Sequence, residues 1–318
     1  MKEEGVAWQN ACCNALIPDR PCVRRSDYMS KRNKHIGIIT LFVLPALLFY
    51  GTFNVVGIVR TFIYSFMDWK GISANRTFAG FGNYIELFGD SLFWNAMRNN
   101  VILVIVSVAI QLPGALLLAL LINQELKGTR FFRTVFFMPM LLSTVATGIM
   151  WILFYDPYFG LIASLMQKLG LKSIAFLEGR SSMPSILFVI CWQFIPFYMI
   201  ILKAGLTNIP TDIYEAARID GANGKQCFWK ITLPLLVPTL RSAAVLQLVG
   251  SLKYFDLFYV MMGGAPNRAT ELMATYMYKK GFTEFRMGYA SAIAASMFIL
   301  CFAIACMFLY ITRDKEVA

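Results

Sequence analysis

Hydrophobic and polar positions in this chain do not alternate at a helix or strand period over most of its length; the apolar residues are gathered into long uncharged runs. Such runs cover 36–59, closed by Arg60, then 101–122, 134–155, 183–202 and 287–312. Each is long enough to cross about 30 Å of hydrocarbon at about 1.5 Å per residue. A further stretch, 235–262, contains Arg241, Lys253 and Asp256. It reads as a span because Arg241 can snorkel toward one interface while the other two lie near the opposite one. The pattern predicts an all-α integral membrane protein with about six transmembrane helices in a domain 36–312. A tail, 1–35, precedes the domain, and a short end, 313–318, follows it.

Composition agrees with lipid as the main solvent. Of 318 residues, 58% are hydrophobic and 15% charged, whereas soluble domains run at about half and about a quarter. The formal charge of +11 does not point to nucleic acid, because Lys and Arg sit between the apolar runs and not on one polar face. They report orientation. The tail 1–35, the connections 123–133 and 203–234 and the end 313–318 are richer in Lys and Arg than the alternate connections, which places both termini in the cytoplasm of a cell membrane. Residues 1–28 carry no signal-peptide pattern and read as a flexible extension or a misassigned start ahead of Met29, which opens MSKRNKH.

Reactive chemistry is sparse. Seven cysteines form no CxxC pair, and His35 is the single histidine, beside an apolar run. No GxxxxGK[ST] occurs, so the chain is expected to hold no cofactor, metal or catalytic residue and to hydrolyse no ATP itself.

The connection TNIPTDIYEAARIDGANGKQCFWKITLPLLVP carries the most information. Pro210 stops the incoming chain, Asp212 with Glu215 three positions on suggests an N-terminal cap, and a short helix follows. Gly221 and Gly224 break it, a second short helix spans 225–231, and Pro234 marks the return to the membrane. The expected product is a helix–turn–helix elbow over 211–234.

Glu215, Ala216, Ala217, Gly221, Ile231, Leu233 and Pro234 together spell EAA-x3-G-x9-I-x-LP. Here the chain resembles the inner-membrane permeases of binding-protein-dependent ABC importers. The resemblance implies that the elbow, with Tyr214 just ahead of the motif, is the coupling helix that docks on an ATPase, where Ala216 and Ala217 allow close approach. RFFRTVFFMPMLLSTVATGIMWILFYDPYFGLI and KYFDLFYVMMGGAPNRATELMATYMYKKGF are similar to the carbohydrate-type subgroup, with one residue inserted in the turn Gly263-Gly264-Ala265-Pro266. The partners implied are a second homologous permease subunit, two ATPase subunits that bind ATP and Mg, and an extracytoplasmic solute-binding protein.

A sugar path needs amides, hydroxyls and aromatic faces within the bundle. Gln247, Ser251 and Tyr254 fall on one face of the fifth helix, and Trp192, Gln193 and Phe194 precede Pro196 in the fourth. By their placement relative to the elbow these six resemble sugar-contacting positions of the maltose-type permease. Gln111 and Asn54 read as interhelical hydrogen-bonding residues. The sequence therefore reads as half of a translocation path for a sugar or oligosaccharide. A glycerol phosphodiester or polyamine importer is the nearest alternative, and a membrane enzyme or scaffold comes from another class. A polyamine path would call for more intramembrane carboxylates than Asp256, and an enzyme for a polar cluster at membrane depth.

Overall fold

The computed structural model describes residues 41–72, 75–123, 128–263 and 269–312. The tail 1–35, the first positions of the first span (36–40), turn positions 264–266 and the end 313–318 lie outside the described residues. The chain divides at Arg60 into two units, each taken by itself below.

Helix α1, Leu41–Ser65, begins in the first unit. There Phe42, Leu47, Phe49 and Phe53 are all exposed, as suits a helix bathed in hydrocarbon. Arg60 does not close this helix as the charge pattern suggested, since one Arg can snorkel without disturbing the backbone ladder.

In the second unit a two-stranded antiparallel ribbon pairs β1, Met67–Asp68, with β2, Thr77–Phe78. Helix α2, Gly82–Gly89, precedes the long α3, Ser91–Asn123. Then come α4, Thr129–Leu141, α5, Thr144–Phe154, α6, Leu161–Lys168, and α7, Ser182–Thr207, which passes through Pro196 without ending. After the elbow helices α8, Thr211–Ile219, and α9, Gly224–Cys227, follow α10, Leu233–Leu252, α11, Asp256–Met262, α12, Met273–Tyr278, and α13, Met287–Thr312.

Among the described residues, five helices are long and apolar enough to cross a membrane, and a bent pair makes a sixth if it counts as one span. That pair corrects the reading of 134–155 as one straight helix: α4 and α5 meet at 98°. Leu142 and Ser143 are extended at the break, and Pro139 has already removed a donor from the last turn of α4. A second correction concerns 235–262, where the helix breaks at 253–255 so that Lys253 and Asp256 flank a gap between α10 and α11.

Pro234, read as the return to the membrane, stands in the first turn of α10, but no break separates that helix from the second elbow helix: α9 runs through a wide turn, Phe228–Thr232, straight into α10. The same arrangement occurs in α3, where the wide turn Ser107–Gln111 precedes Leu112-Pro113. In both places a five-residue turn ends two positions before a proline. Widening there relieves the clash of the ring with the carbonyl four residues back, so the span continues.

Lipid offers no hydrophobic driving force between spans, so close packing of small residues must hold them. Ala115 and Ala119 of α3, both fully buried, face α7 in one cluster with Tyr198, Met199 and Leu202. Gly205 lies so near α10 that a Cβ would come within 2.8 Å of Leu236. At the start of α13, a Cβ on Gly288 would meet the Met67 carbonyl at 1.9 Å, and the Gly288 N–H donates to Trp69. Only glycine lets the ribbon seat there.

Candidate functional site

The elbow is more firmly built than its sequence suggested. Asp212 does not cap α8; Pro210 occupies the cap position and Asp212 lies inside the first turn, where its charge favours the positive end of the helix. No reciprocal bond to Glu215 forms. The far end closes through Gly221 at φ +78°, with Ala222 N–H donating to the Ala217 carbonyl and Gly221 N–H to that of Arg218. This crossed pair satisfies the last carbonyls and requires a left-handed residue. Asn223 then starts α9 with a true capping box: its side chain accepts from Gln226 N–H at 2.9 Å, and its own N–H donates to Gln226 Oε1 at 2.8 Å. The Asn-x-x-Gln spacing was visible in the chain as a capping signal.

Tyr214 fixes the angle of the elbow. Its hydroxyl lies 3.0 Å from Thr232 Oγ1, and Thr232 is buried in the wide turn at the base of α10. Ala217 is buried, while Glu215 and Ala216 are exposed. Ile213, Ala216 and Ile219 fall three apart on one open face, and Ile219 is 87% exposed. Leu233 and Pro234 lie in the first turn of α10, so the motif that looked like a loop followed by a helix start is one continuous body from Gly224 to Leu252.

The same body reaches a cavity of about 70 Å³ lined by α3, α7 and the far end of α10. Ser107 and Gln111 come from the wide turn of α3, Phe194 and Tyr198 from α7, and Ser251 and Tyr254 from α10 and its terminus. Gln247 backs this wall. Its Nε2 donates to the Ser107 carbonyl at 2.7 Å and to Gln111 Oε1 at 3.0 Å, while Ser251 Oγ donates to Ser107 Oγ at 2.9 Å. The wide turn brings Ser107 and Gln111 onto one side, where they meet α10. Two buried polar atoms here have no protein partner, Gln247 Oε1 and the Tyr254 hydroxyl.

The six residues expected along a sugar path therefore separate. Phe194, Ser251 and Tyr254 line the cavity, with Gln247 behind them. Trp192 and Gln193 do not line it. Gln193 turns toward the break between α4 and α5, its Nε2 lying 3.5 Å from both the Leu142 carbonyl and Thr144 Oγ1, and Trp192 packs edge-on to Trp151. One residue of α7 cannot share a face with the next, since each step turns about 100°. Ser107 and Tyr198 went unrecognised because an isolated hydroxyl in an apolar run gives no periodic signal. Gln111, read only as an interhelical link, does make that link and lines the cavity as well.

Two asparagines hold the cavity's far end. Buried Asn100 donates to the carbonyls of Ser251 and Leu252 at 3.3 and 3.1 Å and accepts from Met273 N–H at 2.9 Å. One side chain thus satisfies the end of α10 and the start of α12. Asn99 donates to the carbonyls of Ala269 and Glu271. Near the same end Asp90 caps α3 and accepts from the hydroxyls of Tyr276 and Tyr289. Burial opposes its charge, but these hydroxyls and the Leu92 N–H outweigh that and hold the carboxyl below its ordinary range. Glu86 is also lowered, first by the Arg286 guanidinium that donates to both its oxygens at 2.7 and 2.6 Å.

A helical bundle with a sharply bent helix pair, a capped elbow and an uncharged cavity between helices defines the class, a multi-pass membrane protein. The family described as binding-protein-dependent transport system inner membrane component matches residues 87–316. The probable ABC transporter permease protein YurN of Bacillus subtilis (strain 168) is 37% identical over 84% of this chain and 93% of its own length. The multiple sugar-binding transport system permease protein MsmF of Streptococcus mutans is 32% identical over 80% of this chain and 88% of its own. The fold is similar, at TM-score 0.80 and 23% identity over 89% of this chain and 96% of the other, to a chain in the crystal structure of a bacterial alginate ABC transporter in complex with an alginate pentasaccharide-bound periplasmic protein. This chain belongs to the family of inner-membrane components of binding-protein-dependent transport systems.

Proposed function

We propose that the chain is one of two permease halves of an ATP-driven importer for a sugar or oligosaccharide. It pairs with a second homologous permease subunit and receives solute from an extracytoplasmic binding protein. Two ATPase subunits hold ATP and Mg, and this chain needs no cofactor. MsmF, a sugar-transport relative, supports the solute class. The observation that carries the reading is the continuous helical body from Gly224 to Leu252, which has the elbow at one end and the uncharged cavity at the other. At about 1.5 Å per residue such a body spans about 40 Å, enough to carry a push across the bilayer.

Docking of the ATPases on Ile213, Ala216 and Ile219 moves the elbow, and the capped turns at Gly221 and Asn223 transmit that movement as a rigid piece. A cavity of about 70 Å³ is small beside the roughly 300–1,000 Å³ of a typical small-molecule site. Passage of a sugar therefore requires α3 and α7 to part from α10, which is alternating access by rocking of packed helices. Both termini and the elbow face the cytoplasm.

Uptake of radiolabelled sugars by vesicles containing the assembled importer, binding protein and ATP tests the function. Sugar accumulation dependent on ATP is expected, and accumulation of a non-sugar solute alone would refute it. Single cysteines test orientation: one at 170–180 should react with an impermeant maleimide from outside, and one at 222–226 only after the membrane is opened. The reverse labelling would refute the placement.

A further inference from the structure

We infer that α2, Gly82–Gly89, lies in a phospholipid surface at the end of the bundle away from the elbow, with its open face sunk into the boundary between headgroups and acyl chains. This anchor does not depend on which solute is carried. One side of α2 is bound to protein. Asn83 donates to the carbonyls of Ser65 and Met67, both at 2.9 Å, the Tyr84 hydroxyl donates to Ser65 Oγ at 2.8 Å, and Leu87 is buried with Phe93, Tyr276 and Tyr289. The other side is open: Phe81, Ile85 and Phe88, at i, i+4 and i+7, are 68%, 74% and 62% exposed. Glu86, one step of about 100° beyond Ile85, leaves that arc and pairs with Arg286.

Three large apolar side chains open on one face mark a surface made for a protein or a membrane, and the next helix decides between them. Trp94 of α3 packs beside Phe88, ring centroids 6.3 Å apart, and its Nε1 donates to the Phe88 carbonyl at 2.9 Å. That bond satisfies an indole donor and a carbonyl at the end of α2 together, as a site poor in water demands. Trp94, Arg98, Val101 and Ile105, all exposed, then descend one face of α3 into the span. Val101 and Ile105 suit hydrocarbon. Helical side chains lean toward the helix N-terminus, so Arg98, which has no ion pair among the described residues, carries its charge back toward the level of Trp94. Aliphatic residues, then a cation, then a tryptophan is the order that acyl chains, phosphates and the interfacial belt require. Phe88, against Trp94, sets α2 at that same level. Since Asn83 and Glu86 tie α2 to the end of α1 and to the chain entering α13, the anchor holds those ends at one depth while the bundle rocks.

The test takes the assembled wild-type importer, without its binding protein, in phosphatidylcholine vesicles containing a lipid with a diazirine near the glycerol. After illumination, peptide mass mapping should find lipid adducts within 81–94 as well as on the spans. Depth is read from Ile85→Cys and Phe88→Cys, each in a cysteine-free background and labelled with an environment-sensitive fluorophore. Their emission should be lost to a nitroxide on the lipid chain near the glycerol, more than to one at the chain end, as a depth of about 5–10 Å predicts. A water-soluble nickel chelate should leave it nearly unchanged. Adducts confined to the spans, or labels quenched from water, overturn the anchor. Labels shielded from water and lipid alike overturn it too, and assign the face to a protein: the second permease subunit, or the binding protein if shielding appears only when that is added.

Discussion

The elbow and the cavity are two ends of one helical body, and they are stabilised in opposite ways. Almost every bond that shapes the elbow is local: the crossed pair at Gly221, the capping box at Asn223, and one longer link from Tyr214 to Thr232. The bonds around the cavity join residues far apart in the chain, such as Gln247 to Ser107 and Asn100 to Leu252. The elbow can thus keep its own shape while α10 moves, as a lever requires. The cavity changes shape whenever α3 and α10 separate, as a gate requires.

Gly221→Val should break this comparison most sharply. A β-branched residue at φ +78° cannot form the crossed cap without strain. Uptake should fall more than about tenfold as the ATPase dissociates, for a strain on the order of 1–3 kcal/mol. Co-purification of the ATPase measures the effect, and full recovery of both would show that the elbow tolerates another shape. Glu215→Lys should act in the same direction by reversing a charge on the exposed surface of α8.

Gln247→Leu comes next and probes the other end. It leaves the Ser107 carbonyl and Gln111 Oε1 without their buried donor, which costs about 1–3 kcal/mol. The expected result is less assembled protein as well as slower uptake, with the ATPase still bound to what assembles. Unchanged abundance with slow uptake would instead make Gln247 a solute contact and no structural tie.

Tyr214→Phe should have a smaller effect, about 0.5–1.5 kcal/mol for one neutral bond, seen as ATPase activity that responds less steeply to loaded binding protein. If Gln247→Leu produced this uncoupling and Tyr214→Phe did not, the division into lever and gate would be wrong.

The smallest effect belongs to Asp90, outside both regions. Because its folded carboxyl is held below the ordinary range, its stabilisation is present above that range and is lost as pH falls through the lowered value. Thermal unfolding of the purified complex should therefore show an acid-sensitive component below a pH of about 4. Asp90→Asn should remove that component while leaving uptake at neutral pH nearly intact.

The spans, the elbow and the family were legible from the chain alone, because each rests on short-range physics. An uncharged run of twenty residues can satisfy its backbone in lipid only as a helix, and EAA-x3-G-x9-I-x-LP places a glycine where a left-handed turn must fall. Tertiary structure decided what depends on which helices meet. The bend between α4 and α5 needed extended backbone at Leu142 and Ser143, which no charge or glycine announces. The wide turn in α3 rotated Ser107 and Gln111 toward α10, and neighbouring positions on α7 sent Phe194 into the cavity and Gln193 toward the broken span. A polar residue in an apolar run announces that it needs a partner; only the packed bundle says which one it finds, since the partner sits on another helix, 51 residues away for Gln193 and 140 for Gln247.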